Sequence, residues 1–253
     1  MDLRELARRL FGLHKCASCR RILSQGEFDR ALCSKCESAY RTAVTENCPN
    51  CLSSAIECTC QPKSMADAGS LCLKKLFFYH PNKENEPQNR LIYFLKHNKS
   101  KRVVSFVADE LYAELKKEMD TIGITDPSAE LLLTNVPRGR RSLVNDGFDQ
   151  SAELCRAITR ISQIPYAPLI SRKIGGREQK KLTSLERRRN VKRAMRANEK
   201  YATLAKGRYV LLVDDVVTTG ASMAACLPIV RKMGVKGVIC VALALDLKKK
   251  KAR

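Results

Sequence analysis

Residues 210–222 run Val-Leu-Leu-Val-Asp-Asp-Val-Val-Thr-Thr-Gly-Ala-Ser. The apolar run at 210–213 leaves no polar side for water, which predicts a parallel strand buried on both faces. Asp214 and Asp215 follow at the carboxyl end of this predicted strand. A loop of small and hydroxyl-bearing residues then leads into a predicted helix, and it comprises Val217, Thr218, Thr219, Gly220, Ala221 and Ser222.

Such a loop is suited to a phosphate group. Free backbone N–H groups and the helix dipole favour a dianion at the start of a helix, and Gly220 lets the backbone approach it closely. The two acids would meet sugar hydroxyls or Mg²⁺, a hard cation that prefers oxygen ligands. An acid after a strand is also a common scaffold feature of doubly wound folds. The hydroxyl-rich loop after two acids favours a sugar phosphate site over that alternative.

Strand and helix patterns alternate on the amino-terminal and carboxyl-terminal sides of this stretch. Apolar runs of strand length lie at residues 70–79, 131–136, 208–213 and 238–244, and helical spacing occupies 88–98, 103–119, a segment opening at 147–150, and 220–233. This alternation predicts an α/β fold with a parallel sheet flanked by helices. We expect Pro228 to kink or weaken the last helix, because proline lacks the backbone N–H.

Eight cysteines form four close pairs, which are Cys16/Cys19, Cys33/Cys36, Cys48/Cys51 and Cys58/Cys60. Two such pairs complete the closed four-thiolate set of a structural zinc site. Sequential pairing predicts one site from the first four cysteines and a second from the last four, with interleaved pairing as the alternative. An iron–sulfur cluster also fits four thiolates, but pairs separated by polar, turn-prone spacers favour zinc.

The cysteine-rich segment predicts a separate module. Residues 15–62 carry little apolar sequence, so we expect zinc to supply their folding energy. Residues 61–69 have the composition of a linker. We therefore predict an N-terminal helix and zinc-binding module at 1–62 and an α/β domain with a basic C-terminal tail at 63–253, and zinc chelation should unfold the first alone. The unpaired cysteines are predicted to be buried small hydrophobes, and they are Cys72, Cys155, Cys226 and Cys240.

The chain is strongly basic. It has 253 residues, with 47 Lys and Arg against 26 Asp and Glu, a formal charge of +21. Residues 171–208 hold fourteen Lys or Arg and three Glu, and residues 248–253 add five positive charges. This excess favours a polyanionic partner. No run approaches the ~18 apolar residues of a membrane span, and the start lacks the pattern of a secretory signal. We therefore expect a cytoplasmic protein, where clustered thiols bind metal more often than they form disulfides.

Two resemblances narrow the function. Residues 210–222 closely resemble the phosphoribosyl pyrophosphate (PRPP) signature of type I phosphoribosyltransferases. The paired cysteines, the segment from Asn135-Val-Pro137 to Gly147-Phe-Asp-Gln150, residues 177–190 and this signature together resemble the ComF family of competence-associated, phosphoribosyltransferase-like proteins. The resemblance covers nearly the whole chain. It implies a type I phosphoribosyltransferase-like parallel sheet flanked by helices, with an N-terminal four-cysteine zinc-ribbon module.

The resemblance also implies roles for single residues. Asp214 and Asp215 would be the catalytic acids that take the ribose hydroxyls, with Mg²⁺ bound alongside PRPP, and residues 217–222 would wrap the 5′-phosphate. The family has a basic residue before its Gly-Phe pair, whereas this chain has Asp146. Arg138, Arg140 and Arg141 would then supply the positive charge that binds pyrophosphate. A flexible loop with a DNA-contacting patch would comprise Arg177, Gln179, Lys180, Lys181, Arg187, Arg188 and Asn190.

Three functions fit these features. The first is a cytoplasmic PRPP-binding factor in DNA uptake and natural transformation, which contacts single-stranded DNA through the basic stretch and DNA-uptake proteins through the zinc module. Tyr166, Tyr201 and Tyr209 are the nearby aromatics for base stacking, and a solvated face is the alternative meaning of the charge run. The second is an active phosphoribosyltransferase acting on a nucleobase or related acceptor. The third is a ligand-sensing regulator without turnover.

Overall fold

The computed structural model describes residues 14–173 and 193–247. The strands are β1 (Leu73–Tyr79), β2 (Leu131–Asn135), β3 (Ile170–Arg172), β4 (Met195–Ala197), β5 (Tyr209–Val217) and β6 (Gly237–Asp246). The helices are α1 (Ser34–Val44), α2 (Lys63–Asp67), α3 (Pro87–His97), α4 (Lys101–Thr121), α5 (Pro127–Glu130), α6 (Arg140–Asp146), α7 (Gln150–Ser162), α8 (Ala202–Ala205) and α9 (Ala221–Arg231). Short 3₁₀ turns occupy Gln25–Glu27 and Glu199–Tyr201.

The central sheet has four parallel strands in the order β1-β6-β5-β2. Beyond β2, Leu133 forms a parallel bridge to Tyr166, which extends that edge by a few residues. Strands β3 and β4 form a separate antiparallel pair. The alternation of strand and helix that the sequence predicts is therefore present. The chain passes between neighbouring strands from β2 to β5 and from β5 to β6, whereas the crossover from β1 to β2 links the two outer strands of the sheet.

Side chains of the sheet alternate between two apolar layers, as the period of a strand requires. One layer holds Leu133, Leu211 and Ile239 with helices α1, α3, α4 and α7. The other holds Leu132 and Leu212 with α9, α2 and the β3–β4 pair. The strands are thus buried on both faces, which explains their unbroken apolar runs.

Strand β5 is longer than the sequence predicts. It continues past residue 213 to Val217, because Asp214, Val216 and Val217 keep their parallel register with Ala242, Ala244 and Leu245 of β6. The expectation that the acids follow the strand is wrong in this detail. They lie among the last residues of the strand, where the backbone holds them more firmly than a loop would.

The cysteine-rich segment is packed into the core of the sheet, although its composition predicts a separate module with little apolar sequence. Tyr40 of α1 is fully buried and packs edge-on against Phe77 of β1 at 5.9 Å and Phe106 of α4 at 5.4 Å between ring centroids. Arg41 donates to both carboxylate oxygens of Glu110 at 2.6 and 2.9 Å. Few apolar residues suffice here, because they share a layer with the sheet instead of enclosing a core of their own.

The predicted linker at 61–69 contains helix α2 and is packed. Met65 is fully buried in the layer that holds α9. Gln61 Nε2 donates to the carbonyl oxygen of Ser70 at 3.2 Å, which closes the segment into a compact loop. The Pro, Ser and Gly content that suggests a linker here forms a short helix and its turns.

Candidate phosphate site and cysteine clusters

The two adjacent acids lie on β5 next to helices α3 and α7. Ser151 Oγ donates to Asp214 Oδ1 at 3.4 Å, and the backbone N–H of Asp215 donates to the same oxygen at 2.9 Å. Lys96 Nζ lies 3.6 Å from Asp215 Oδ2. Lys96 thus brings a positive charge to the acid pair. Gln150 Nε2 helps to fix that lysine by donating to its backbone carbonyl oxygen at 2.8 Å.

Asp214 is held in a setting that disfavours its charge. Burial and the neighbouring Asp215 carboxylate raise the pKa of Asp214 well above its ordinary value. A divalent cation or the hydroxyls of a sugar would compensate that charge. The acid pair is therefore poised to gain from a ligand that supplies positive charge or hydrogen-bond donors.

The hydroxyl-rich loop leads into α9 as the sequence predicts. Gly220 has φ +69°, in the left-handed region, and the helix begins at Ala221. Thr218 is exposed, whereas Val217 and Gly220 are buried. The first backbone N–H groups of α9 follow Gly220 directly, so the loop presents donors and a positive helix end to an anion.

Helix α2 covers one side of this loop, which sequence reasoning missed. Ser64 Oγ donates to the carbonyl oxygen of Thr219 at 3.0 Å. A Cβ atom on Gly220 would lie 2.8 Å from Cγ and Sδ of Met65 and 3.1 Å from Cβ of Pro62. No motif spacing could reveal the contact, because it joins residues 155 positions apart.

The candidate pyrophosphate loop has an unexpected ion pair. Arg138 Nη2 contacts Asp146 Oδ2 at 2.8 Å, and Arg138 Nη1 donates to the carbonyl oxygen of Phe148 at 3.3 Å. His97 Nδ1 lies 3.4 Å from the other oxygen of Asp146. Asp146, which stands where the family has a basic residue, therefore neutralises the charge of Arg138, one of the arginines expected to bind pyrophosphate instead. Arg140 and Arg141 begin helix α6, and their side chains lie outside the described part of the chain.

A polar network braces the end of β2 beside the acids. Tyr166 Oη donates to Asn135 Oδ1 at 2.8 Å, and Asn135 Nδ2 donates to Asp149 Oδ2 at 3.1 Å. Asp149 caps α7 by accepting the N–H of Ala152 at 3.1 Å, and burial raises its pKa. Tyr166, expected to be free for base stacking, is half-buried and engaged in this network.

The eight cysteines gather in two groups with the sequential pairing. One group is Cys16, Cys19, Cys33 and Cys36, and the other is Cys48, Cys51, Cys58 and Cys60, with the ligand atoms of each group within 4.8 Å of one another. Cys19 Sγ and Cys33 Sγ are 3.7 Å apart. Tetrahedral zinc with Zn–S bonds of about 2.3 Å requires sulfur atoms roughly 3.8 Å apart. The residues therefore fit structural zinc.

The remaining cysteines are buried as predicted, and they are Cys72, Cys155, Cys226 and Cys240. His14 is placed by its own contacts, since Nδ1 lies 2.8 Å from the carbonyl oxygen of Phe28. The flexible-loop and DNA-patch residues lie outside the described residues, and they are Arg177, Gln179, Lys180, Lys181, Arg187, Arg188 and Asn190. Within the described ranges, none of the helices is long and apolar enough to cross a membrane.

Comparison with known proteins finds a matching family model that includes β5 and α9. The family model described as the phosphoribosyl transferase domain matches residues 166–253. A hypoxanthine phosphoribosyltransferase from Staphylococcus aureus shares 15% identity over 59% of this chain and 67% of that one, with a TM-score of 0.36. The family match over residues 166–253, together with the parallel sheet of this chain, defines the class as that of phosphoribosyltransferase-type proteins.

Curated relatives match over most of the chain. The DNA utilization protein YhgH of Escherichia coli O157:H7 is 30% identical over 219 residues, which cover 83% of this chain and 87% of that protein. YhgH of Escherichia coli strain K12 is 28% identical over 233 residues, covering 88% and 93%. The chain belongs to the ComF family.

Proposed function

We propose that this chain binds PRPP together with Mg²⁺ and acts, as a ComF-like protein, in DNA uptake in the cytoplasm, where it contacts single-stranded DNA. The observation that supports PRPP as the ligand is the acid pair on β5, followed by a loop that leads into α9. The names of the relatives, DNA utilization proteins, support the biological role.

Each part of the site has a chemical task in this proposal. Asp214 and Asp215 would hold the ribose hydroxyls and would offer carboxylate oxygens to Mg²⁺, which would supply positive charge to the ligand's phosphates. Residues 217–222 would wrap the 5′-phosphate with backbone N–H groups and hydroxyls. Lys96, which lies beside Asp215, balances the acids before the ligand arrives.

The pyrophosphate side favours binding over turnover. Transfer from PRPP needs charge stabilisation on the departing pyrophosphate. Arg138 is the arginine of the loop whose side chain the structure describes, and its charge is paired with Asp146 at 2.8 Å. An active transferase would need to break that ion pair or use other cations. We therefore favour a ligand-binding role over catalysis of base salvage.

Calorimetric titration tests the ligand. Native protein loaded with zinc should bind PRPP in the presence of Mg²⁺, and the double variant Asp214→Asn/Asp215→Asn should lose that binding while remaining at least as stable to heat as the native chain. Ribose 5-phosphate serves as a second titrant, because it retains the sugar phosphate and lacks the pyrophosphate. A folded native chain that binds neither compound would refute the proposed site.

DNA contact needs a separate test. The four-residue variant Lys180→Ala/Lys181→Ala/Arg187→Ala/Arg188→Ala should weaken binding of a labelled single strand and flatten its salt dependence, by about 0.7 in slope for each phosphate that the protein no longer neutralises. A matched variant removes the same charge from exposed positions elsewhere, which are Lys83, Lys116, Arg160 and Lys232. Equal weakening in both variants would show that net charge, and not this patch, drives the binding.

A further inference from the structure

The residues that follow the second cysteine group in the chain, 61–65, pack directly against the phosphate loop. Cys60 is the last ligand of that group, and Pro62 already contacts the position where a Cβ on Gly220 would stand, at 3.1 Å. Met65 completes the contact at 2.8 Å. A displacement of Cys60 must therefore be absorbed within a few residues or reach the loop.

The joining segment is anchored at its cysteine end by β1. Lys75 is fully buried, and its Nζ donates to the carbonyl oxygens of Cys58 at 2.6 Å and Cys60 at 3.5 Å. The N–H of Leu73 donates to the carbonyl oxygen of Thr59 at 3.4 Å. Three consecutive carbonyl groups, at residues 58–60, thus accept hydrogen bonds from one strand, so this part of the chain has little freedom to shift while the group holds a metal.

The segment is equally fixed at its loop end. Ser64 Oγ donates to the carbonyl oxygen of Thr219 at 3.0 Å, and Met65 is fully buried against Gly220. The carbonyl of Thr219 precedes the residue in the left-handed conformation. Its direction sets where the N–H of Gly220 points, because the peptide between Thr219 and Gly220 is planar.

We propose that Ser64 and Met65 are positioning residues for the phosphate loop, and that zinc held by Cys48, Cys51, Cys58 and Cys60 sets their position. The inference rests on the proposed function, since it takes the loop to be the ligand's phosphate site. The zinc group then does more than stabilise the N-terminal segment. Loss of its metal loosens residues 60–65, releases the Thr219 carbonyl and lowers the affinity for the sugar phosphate.

A pair of substitutions in α2 tests the positioning role. Ser64→Ala removes the hydrogen bond to Thr219, while Ser64→Thr keeps the hydroxyl. Lys63→Ala is the matched control, because its ion pair with Asp67 at 2.8 Å is exposed to solvent. We expect Ser64→Ala to weaken ribose 5-phosphate binding about two- to tenfold, the range of one net hydrogen bond. Ser64→Thr and Lys63→Ala should bind within about twofold of the native chain.

Hydrogen exchange supplies a readout that needs no ligand. Peptides covering residues 216–224 should exchange faster in Ser64→Ala than in Lys63→Ala, with no change in the global unfolding temperature beyond that of the control. If exchange accelerates but the native chain binds no sugar phosphate, the proposed function fails and the positioning role stands. If exchange in the loop is unchanged, the positioning role fails whatever the ligand.

Two single cysteine variants test the zinc coupling. Cys51→Ser removes a ligand from the second group, and Cys19→Ser removes one from the first. Each variant should lose one zinc by metal analysis, yet only Cys51→Ser should speed exchange in residues 60–69 and 216–224. Equal effects of both variants, or none in Cys51→Ser, would overturn the coupling. Should Cys51→Ser fail to fold, titrating zinc from the native chain while following the same peptides gives the same comparison.

Discussion

Replacing Gly220 by alanine should separate two costs that coincide at this position. The first is conformational, because φ is +69°, where a residue with a Cβ is strained by about 1–2 kcal/mol. The second is steric, because the new Cβ would lie 2.8 Å from Cγ and Sδ of Met65. Overpacking of this kind costs about 1–3 kcal/mol. We therefore expect Gly220→Ala to lower the free energy of unfolding by about 2–5 kcal/mol.

Gly123→Ala is the matched control for this prediction. Gly123 has φ +72°, and a Cβ built there meets nothing within 4 Å. It should therefore carry the conformational cost alone, about 1–2 kcal/mol. The difference in the free energy of unfolding between the two variants, about 1–3 kcal/mol, measures the steric contact between residues 62–65 and the phosphate loop.

Urea unfolding at saturating zinc would measure both variants, with circular dichroism as the signal and equal m-values as the condition for comparing them. A cycle with Met65→Ala completes the assay. Because that change removes Cγ and Sδ and leaves the 3.1 Å approach to Cβ of Pro62, most of the excess cost of Gly220→Ala over Gly123→Ala should disappear, which gives a coupling energy of about 1–3 kcal/mol. If Gly220→Ala destabilises the native chain no more than Gly123→Ala, Met65 and Pro62 do not pack against Gly220 as closely as the structure shows.

Other consequences of the structure can be checked independently. Zinc chelation should lower the unfolding temperature of the whole chain and not of residues 14–62 alone, because Tyr40 packs into the apolar layer on one face of the sheet. A calorimetric unfolding transition of the α/β domain that chelation leaves unchanged would contradict this. Asp214→Asn should raise stability near pH 7 by about 1–3 kcal/mol while abolishing ligand binding. The sign follows from the raised pKa of Asp214: the folded state holds the proton more tightly than the unfolded state, so native stability falls as pH rises from the unfolded pKa through the folded one. Denaturation at pH 5 and pH 8 should show a smaller pH dependence in the variant, and an unchanged dependence would locate the proton elsewhere. Asp146→Asn should remove the ion pair with Arg138 and so strengthen the binding of inorganic pyrophosphate about two- to fivefold, because the pair is partly shielded from solvent. If calorimetry finds no gain in affinity, Arg138 does not face the ligand.

Much of the fold follows from patterns that are local in sequence. Buried parallel strands and amphipathic helices are recognised by their periodicity, and both boundaries of α3 and the start of α7 fall within a few residues of the predicted ones. The cysteine groups are predictable for the same reason, since a pair of ligands two or three residues apart already faces one ion. The position of the phosphate loop at the start of α9 follows from its glycine and the strand before it.

The features that sequence reasoning missed depend on contacts between distant parts of the chain. Nothing near Ser64 indicates that its hydroxyl reaches Thr219, and nothing near Arg138 alone shows that Asp146 pairs with it. The low apolar content of residues 15–62 suggests a module without a core, because composition cannot show that a neighbouring sheet supplies the other half. The sequence pattern underestimates the length of β5, since acidic residues are common after strands and rarer within them.

The cysteine-rich segment also shields an edge of the sheet. β1 is the outermost strand on its side, and its sequence Leu-Lys-Lys-Leu-Phe-Phe-Tyr is rich in residues of high β-propensity. Thr59 lies against that edge and accepts the backbone N–H of Leu73, while the side chain of Lys75 donates to the carbonyl oxygens of Cys58 and Cys60. An open strand of this kind is a template for pairing with other chains. We therefore expect a fragment lacking residues 1–62 to be prone to edge-to-edge aggregation.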